Sequence, residues 1–270
     1  EKNEYLIIGS GIAERYHQRF FKAVPLPTSV KFESQTEAIC GFNVAGPKSR
    51  ALLQQLTNTS LSTKDFPFMS SKRLKLSGIN IIAIRVSFTG DLGWEIHCKT
   101  QDQVELYKAL LQTGKTFGAG PVGSRALMSL RLEKGYGSWS REYSPEYWPH
   151  EQGMDRLCKM SKNFLNKGAL EKVLAQDTRQ KMVLLQLDAN STNASNADAT
   201  GGEPVFKNGR GIGHVTSGAY GHSVRMSLAL AMVKDACPGD EVDVMVLGRP
   251  HKAKILHRPP FDPKGEKLRA

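Results

Sequence analysis

One short segment of the chain combines a carboxylate with aromatic side chains. Glu95 directly follows Trp94, and Phe88 lies seven residues before it. A carboxylate among apolar neighbours is costly unless it is paired or reserved for a ligand, and it can accept two parallel hydrogen bonds while aromatic faces cover a ring. The segment therefore suits a flat, nitrogen-rich group such as a pterin or a guanidine. The alternative is an ordinary hairpin whose glutamate lies at a solvated strand end.

Two strands and a turn are expected to position these side chains. Apolar residues alternate over residues 82–88, residues 89–93 have the composition of a turn, and the alternation resumes on both sides of Glu95. This pattern predicts a hairpin with Glu95 at the end of a buried strand.

Composition excludes several classes of protein. The 270 residues are 40% hydrophobic and 23% charged, which is typical of a soluble globular chain, and the longest apolar runs have the length of strands rather than of membrane spans. The four cysteines are widely spaced without a C-x-x-C pair, so we expect neither a metal site nor a disulfide scaffold. A reducing compartment fits best, either the bacterial cytoplasm or the mitochondrial matrix. Because the chain begins with Glu1 and not Met, we expect it to be a piece of a longer protein.

The basic character of the chain has two interpretations. The formal charge of +11 suggests nucleic-acid binding, since a basic face attracts phosphate. However, the lysines and arginines are scattered among acidic residues, and no nucleic-acid motif is present. We therefore favour a solvated surface with a locally positive pocket for an anionic ligand, and RNA binding stays as an alternative.

The chain reads as an α+β domain followed by a small antiparallel β-barrel, with the boundary near residue 178 (domains 1–178 and 179–270). Residues 5–8 are expected to form a strand before a helix at 12–23. The nearby Gly-Ser-Gly is no dinucleotide site, because Glu14 stands where a third glycine is required. The other predicted helices are 47–56, 101–113, 123–134 and 164–176. The other predicted strands are a buried strand at 39–46, a pair over 73–98, and short runs at 182–187, 205–206, 212–216, 227–233, 242–247 and 253–256. Residues 188–202 are expected to be a flexible insertion.

Four blocks of sequence carry a family resemblance. They are Ser-Phe-Thr-Gly-Asp-Leu-Gly-Trp-Glu (87–95), Arg-Leu-Glu-Lys-Gly-Tyr (131–136), Ser-Trp-Ser-Arg-Glu-Tyr-Ser-Pro (138–145) and Gly-His-Val-Thr-Ser-Gly (213–218). They resemble the folate-dependent aminomethyltransferase fold. Within that fold, they are more similar to the C-terminal tetrahydrofolate domain of dimethylglycine and sarcosine dehydrogenases than to the free T-protein of the glycine-cleavage system.

The resemblance implies a set of folate-binding residues. In the family, the glutamate at the position of Glu95 binds the pterin, and an aromatic residue at the position of Phe88 lies beside it. Arg125 is a weak substitute for a T-protein arginine whose position here is Leu127. The residues expected to bind folate are therefore Glu95, Phe88, Trp94, Arg125, Trp139 and Tyr220. Arg141 and Glu142 could line the groove, but a surface ion pair is the commoner outcome for such neighbours.

The family also implies a difference in catalysis. Aminomethyltransferases carry an aspartate after the first strand, whereas this chain has Arg15, Tyr16 and His17 there. His17 can exchange protons near neutral pH and Tyr16 can donate a hydrogen bond, so these two are the catalytic candidates. Another departure is Asn166, which stands where the family has a glycine and puts the local backbone in doubt.

The activity implied by the resemblance is one-carbon transfer. A FAD-containing upstream domain would oxidise an N-methyl amine such as dimethylglycine or sarcosine, and tetrahydrofolate bound to this chain would accept the one-carbon unit as 5,10-methylenetetrahydrofolate. The partners are thus folate, the one-carbon donor and the upstream flavoprotein. The alternative, prompted by the absent aspartate, is a catalytically degenerate regulatory or scaffolding module.

Overall fold

The computed structural model of the chain describes residues 3–176, 179–188 and 197–270. An antiparallel four-stranded sheet organises the first part. Its strands are β1 (Ile39–Ala45), β2 (Ser71–Leu76), β3 (Ile79–Ile84) and β4 (Gly93–Lys99), in the spatial order β1, β4, β3, β2. The expected domain boundary near residue 178 lies outside the described residues.

Six α-helices accompany the strands in the described part of the chain. They are α1 (Glu14–Ala23), α2 (Ser49–Gln54), α3 (Gln103–Gly114), α4 (Ser124–Glu133), α5 (Lys167–Leu174) and α6 (Glu266–Arg269). Leu52 of α2 and Leu106 of α3 pack with Phe66 and the buried strand residues into one core. These two helices, α2 and α3, therefore cover one face of the sheet. Within the described ranges, we find no helix with both the length and the apolarity of a membrane span.

A closed antiparallel barrel forms the second part. Its strands are β5 (Lys181–Leu187), β6 (Pro204–Lys207), β7 (Arg210–Gly221), β8 (Met226–Val233), β9 (Glu241–Val246) and β10 (Arg249–Ile255). Small and β-branched side chains such as Val205, Val215 and Ala231 fill its interior. Leu132 of α4 packs against Leu184 and Leu230, which joins this helix to the barrel. The predicted α+β class followed by an antiparallel barrel is confirmed.

The opening segment differs from its prediction. Residues 5–8 form no strand, and Tyr5 is 86% exposed. Isolated extended residues have no backbone partners, so an apolar run alone does not make a strand. The segment instead contacts the sheet through an ion pair from Glu4 to Arg73 on β2, 3.3 Å long.

The strands around Glu95 also differ from their prediction. Residues 73–98 contain three strands rather than two, and the strand predicted over 82–88 ends at Ile84. There the Val86 N–H donates to the Ile84 carbonyl at 3.0 Å, a tight turn that stops the strand. Glu95 consequently lies inside β4 and not at a strand end. The strand predicted as buried over 39–46 is the edge strand β1, whose alternate residues are exposed.

Two further expectations concern loops. Asn166 keeps the conformation typical of glycine, with φ +65°, because asparagine tolerates the left-handed region better than most residues. Most of the expected insertion at 188–202 lies outside the described residues. In its described part, Ala199 is fully buried in the barrel core.

Candidate functional site

Glu95 and His97 lie on the face of the sheet opposite the core that α2 and α3 cover. Side chains alternate along β4, so that Trp94, Ile96 and Cys98 enter the core while Glu95 and His97 point the other way. We call this surface the open face. Its members in the three neighbouring strands are Gly41, Asn43, Ile82, Ile84, Glu95 and His97.

Strand register places specific neighbours beside Glu95. Asn43 of β1 and Ile84 of β3 lie directly opposite it on either side. In the next row, Gly41 lies opposite His97. Glu95 is thus flanked by one amide and one aliphatic side chain, a polar and an apolar edge for a planar ligand.

The carboxylate of Glu95 has an incomplete set of partners. Its Oε2 lies 3.7 Å from Nε2 of His97, beyond hydrogen-bond distance, and it accepts no hydrogen bond from the described residues. The Glu95 side chain is 29% exposed and that of His97 is 14% exposed. His97 Nε2 is buried and has no hydrogen-bond partner among the described residues. Both groups therefore have unused hydrogen-bonding capacity.

Trp94 lies on the opposite side of the sheet from Glu95. Its side chain is 1% exposed, and its ring meets Phe66 edge-on with centroids 6.3 Å apart. The guanidinium groups of Arg50 and Arg85 lie over the ring at 5.7 and 5.8 Å. The structure does not bring Trp94 to the open face, because adjacent residues of a strand point to opposite sides.

Phe88 lies in the connection between β3 and β4. Its ring is nearly parallel to that of Tyr136, with centroids 6.4 Å apart and an interplanar angle of 18°. Burial raises the pKa of the Tyr136 hydroxyl. The sequence pointed to Phe88 as a ring contact but not to this partner.

The catalytic candidates form an aromatic cluster with Trp139. The ring of Trp139 lies 5.8 Å from that of Tyr16 and 5.5 Å from that of His17, both edge-on. This contact joins α1 to the loop after α4.

Comparisons with known proteins identify the family. Residues 1–162 match the GCVT N-terminal domain, and residues 180–262 match the glycine cleavage T-protein C-terminal barrel domain. The first match alone covers more than half of the chain. The chain belongs to the glycine cleavage T-protein family.

Relatives of this T-protein-family chain include dehydrogenases. It is 34% identical to mitochondrial dimethylglycine dehydrogenase of Homo sapiens over 262 residues, which cover 95% of this chain and 30% of that protein. It is 30% identical to mitochondrial sarcosine dehydrogenase of Mus musculus over 239 residues, covering 84% and 25%. An aminomethyltransferase of Thermoanaerobacter sp. (strain X514) is 28% identical over 261 residues, covering 96% and 69%. The chain thus spans about 30% of the length of the dimethylglycine dehydrogenase.

A solved structure supports the fold of the T-protein-family chain. The crystal structure of glycine cleavage system aminomethyltransferase T from Bartonella henselae superimposes with a TM-score of 0.68 at 23% identity, covering 81% of this chain and 58% of that chain. The aminomethyltransferase fold expected from the four sequence blocks is confirmed.

A carboxylate expected at the surface is buried in this T-protein-family chain. Glu142 is fully buried and pairs with Arg131 of α4, Nη1 to Oε2, at 3.1 Å. It also accepts hydrogen bonds from Ser138 N at 2.9 Å, Thr216 Oγ1 at 2.6 Å and Ser217 Oγ. The expected surface pair of Glu142 with its neighbour in sequence is therefore wrong. Arg141 instead donates to the carbonyls of Thr200 and Thr216.

The backbone explains how two adjacent hydroxyls reach Glu142. A bulge in β7 falls between Val215 and Ser217, so that Thr216 is an extra residue against β8. Burial alone would raise the pKa of Glu142, but Arg131 and the three hydrogen bonds hold it below the ordinary value. Glu142 thus joins the loop that carries Trp139 to α4 and the barrel.

Arg125 and Tyr220 lie near the ends of α4 and β7. Arg125 is exposed on the first turn of α4. Tyr220 is 37% exposed, its ring lies edge-on to His222 at 5.0 Å, and its carbonyl accepts a hydrogen bond from Ser129 Oγ at 2.6 Å. Both residues are therefore available on the surface where the first part meets the barrel.

Proposed function

We propose that this chain is the tetrahydrofolate-binding part of a FAD-dependent N-methyl amine dehydrogenase of the dimethylglycine or sarcosine type. The observation that carries the proposal is the half-buried Glu95 carboxylate, which accepts no hydrogen bond from the described residues. A carboxylate in that state gains most from a ligand that brings adjacent N–H donors. Relatives named dimethylglycine dehydrogenase and sarcosine dehydrogenase support the type of enzyme.

The residues of the open face fit a pterin. Its edge offers neighbouring N–H groups that match the two oxygens of Glu95, and Ile84 provides an apolar contact for the ring. We place Phe88 beside the ring, where it would contribute an aromatic face without a hydroxyl. Trp94 is left out of this site, because its ring is in the core.

The proposed reaction depends on holding folate and the one-carbon donor close together. When bound, tetrahydrofolate supplies the nitrogens that accept the one-carbon unit as 5,10-methylenetetrahydrofolate. Glu95 orients the pterin, and holding the two reactants together accounts for much of the rate. We assign the handling of a proton to His17 and Tyr16, whose rings lie against that of Trp139. The flavin and the amine belong to an upstream flavoprotein domain.

The positive charge of the chain would serve the glutamate tail of folate. The chain carries 37 lysines and arginines against 26 acidic residues. We propose that Arg125 attracts the tail and that Tyr220 contacts the rim of the site. Affinity should then rise with the number of tail glutamates and fall with salt, whereas RNA should bind weakly. Equal affinity for short and long tails, with tight RNA binding, would favour the nucleic-acid alternative.

Calorimetry tests the main proposal. Tetrahydrofolate is titrated into the chain, into Glu95→Gln, and into the control Glu105→Gln on the exposed side of α3. We expect Glu95→Gln to weaken binding at least about tenfold, since a charge-assisted contact is lost, and the control to bind as the parent does. Unchanged affinity in folded Glu95→Gln would remove this residue from the site.

The second candidate is a regulatory or scaffolding module with a degenerate site, favoured by the absent aspartate near Tyr16. The complete enzyme separates the two. If His17 handles a proton, His17→Ala should leave amine oxidation and folate affinity unchanged and lower the fraction of the one-carbon unit trapped on folate, with formaldehyde released instead. A complete enzyme that binds folate yet never traps the unit would support the regulatory candidate.

We propose the mitochondrial matrix as the location of the complete enzyme, which is supported by relatives that are named as mitochondrial.

A further inference from the structure

The ring of His97 packs closely against the backbone of β1. It shares the open face with Glu95 because residues two apart in a strand point the same way. Across from it, β1 has Gly41, and a Cβ there would lie 3.1 Å from Nδ1 and 3.3 Å from Cε1 of His97. The glycine therefore leaves the space in which the imidazole lies against the β1 backbone.

The orientation of this ring directs one nitrogen at Glu95. Nε2 is buried without a hydrogen-bond partner among the described residues, and Oε2 of Glu95 lies 3.7 Å from it. A buried ring nitrogen without a hydrogen bond is unfavourable, and a small rotation of the Glu95 side chain would satisfy it. Catalytic and binding hydrogen bonds are often long in the free protein and shorten in the complex.

We propose that His97 is the positioning residue for Glu95, donating a hydrogen bond from Nε2 to Oε2 in the folate complex. The inference rests on the proposed function. Each carboxylate oxygen has two lone pairs, so Oε2 can accept from the pterin on one side and from His97 on the other. The glutamate side chain is then fixed in the conformation that presents both oxygens to the pterin, and less rotational freedom is lost when folate binds.

Replacing His97 by glutamine and by asparagine should have different effects. The amide nitrogen of glutamine reaches the place of Nε2, whereas asparagine is too short to do so. We expect His97→Gln to keep tetrahydrofolate affinity within about twofold, and His97→Asn and His97→Leu to weaken it by roughly tenfold, the loss of one charge-assisted hydrogen bond. Gly41→Ala should also weaken binding, because its methyl group displaces the ring.

A double-mutant cycle separates positioning from a general structural effect. In the Glu95→Gln background, His97→Leu should cause no further loss of affinity, since His97 acts only through the carboxylate. Equal losses in both backgrounds would overturn the proposal. So would a loss of affinity in His97→Gln as large as that in His97→Asn. Thermal unfolding of each variant verifies that it is folded, and Gly41→Ala supplies a second test if His97→Leu is not.

The outcomes for the site and for the inference are separable. If Glu95→Gln weakens tetrahydrofolate binding while His97→Leu does not, only the positioning role fails. If the parent chain and Glu95→Gln bind tetrahydrofolate equally, the proposed function fails, and the role of His97 fails with it.

Discussion

Two glutamates of this chain have opposite environments. Glu142 has a side chain that is 0% exposed and accepts hydrogen bonds from four groups, whereas that of Glu95 is 29% exposed and accepts none from the described residues. A satisfied buried carboxylate fixes the structure around it, and one with free capacity is available to a ligand. The number of partners, and not burial alone, therefore distinguishes the structural role of Glu142 from the binding role that we propose for Glu95.

The largest effect is expected at the buried pair. Glu142→Gln should lower the free energy of unfolding by about 3–5 kcal/mol, because it leaves the Arg131 guanidinium buried without a counter-charge. Urea denaturation measures the difference. The control is the double variant Arg131→Met with Glu142→Gln, which removes the unpaired cation and keeps an amide oxygen as acceptor for Thr216 and Ser217, so it should lose less. A change under about 0.5 kcal/mol in Glu142→Gln would show that the pair contributes little.

The two hydroxyls of the bulge are expected to contribute less. Ser217→Ala and Thr216→Val each remove one hydrogen bond to a charged acceptor, so we expect a loss of about 1.5–3 kcal/mol for each. The same denaturation experiment applies. In the Glu142→Gln background the losses should shrink, and equal losses in both backgrounds would contradict the account.

Acid should remove the contribution that Glu142 makes to stability. The pKa of Glu142 is lowered in the folded chain, so its contribution to stability is complete above the ordinary glutamate pKa of about 4.3 and is lost as the pH falls through the lower folded value. The stability difference between the parent and Glu142→Gln should therefore narrow below about pH 4. Unfolding midpoints measured from pH 7 downwards check this, and a gap that widens in acid would contradict the lowered pKa.

The smallest effect on stability is expected at the open face. Glu95→Gln should change the free energy of unfolding by less than about 0.5 kcal/mol, because no hydrogen bond from the described residues is lost. A loss as large as that of Glu142→Gln would make Glu95 a structural residue and remove the contrast between the two.

The sequence predicted local elements better than distant contacts. Alternation identified β4 and the strands of the barrel, and the same period of two could have shown that Glu95 and His97 share a face. It could not reveal the partner of Glu142, because Arg131 lies eleven residues away and the hydroxyls depend on a bulge in β7.

Two errors have a common physical cause. The prediction for residues 5–8 and the extension of β3 beyond Ile84 both rested on runs of apolar residues. A strand also requires a partner for its backbone, which depends on the topology of the sheet and not on local composition.

The most direct test of the account is an experimental structure of the chain with tetrahydrofolate. We predict that two pterin N–H groups lie within hydrogen-bond distance of the Glu95 carboxylate, about 2.7–3.2 Å, and that Glu142 keeps its four protein partners. A pterin bound elsewhere would contradict the account, for example in the cavity of about 410 Å³ that Phe206, Met245 and Pro250 line on the barrel.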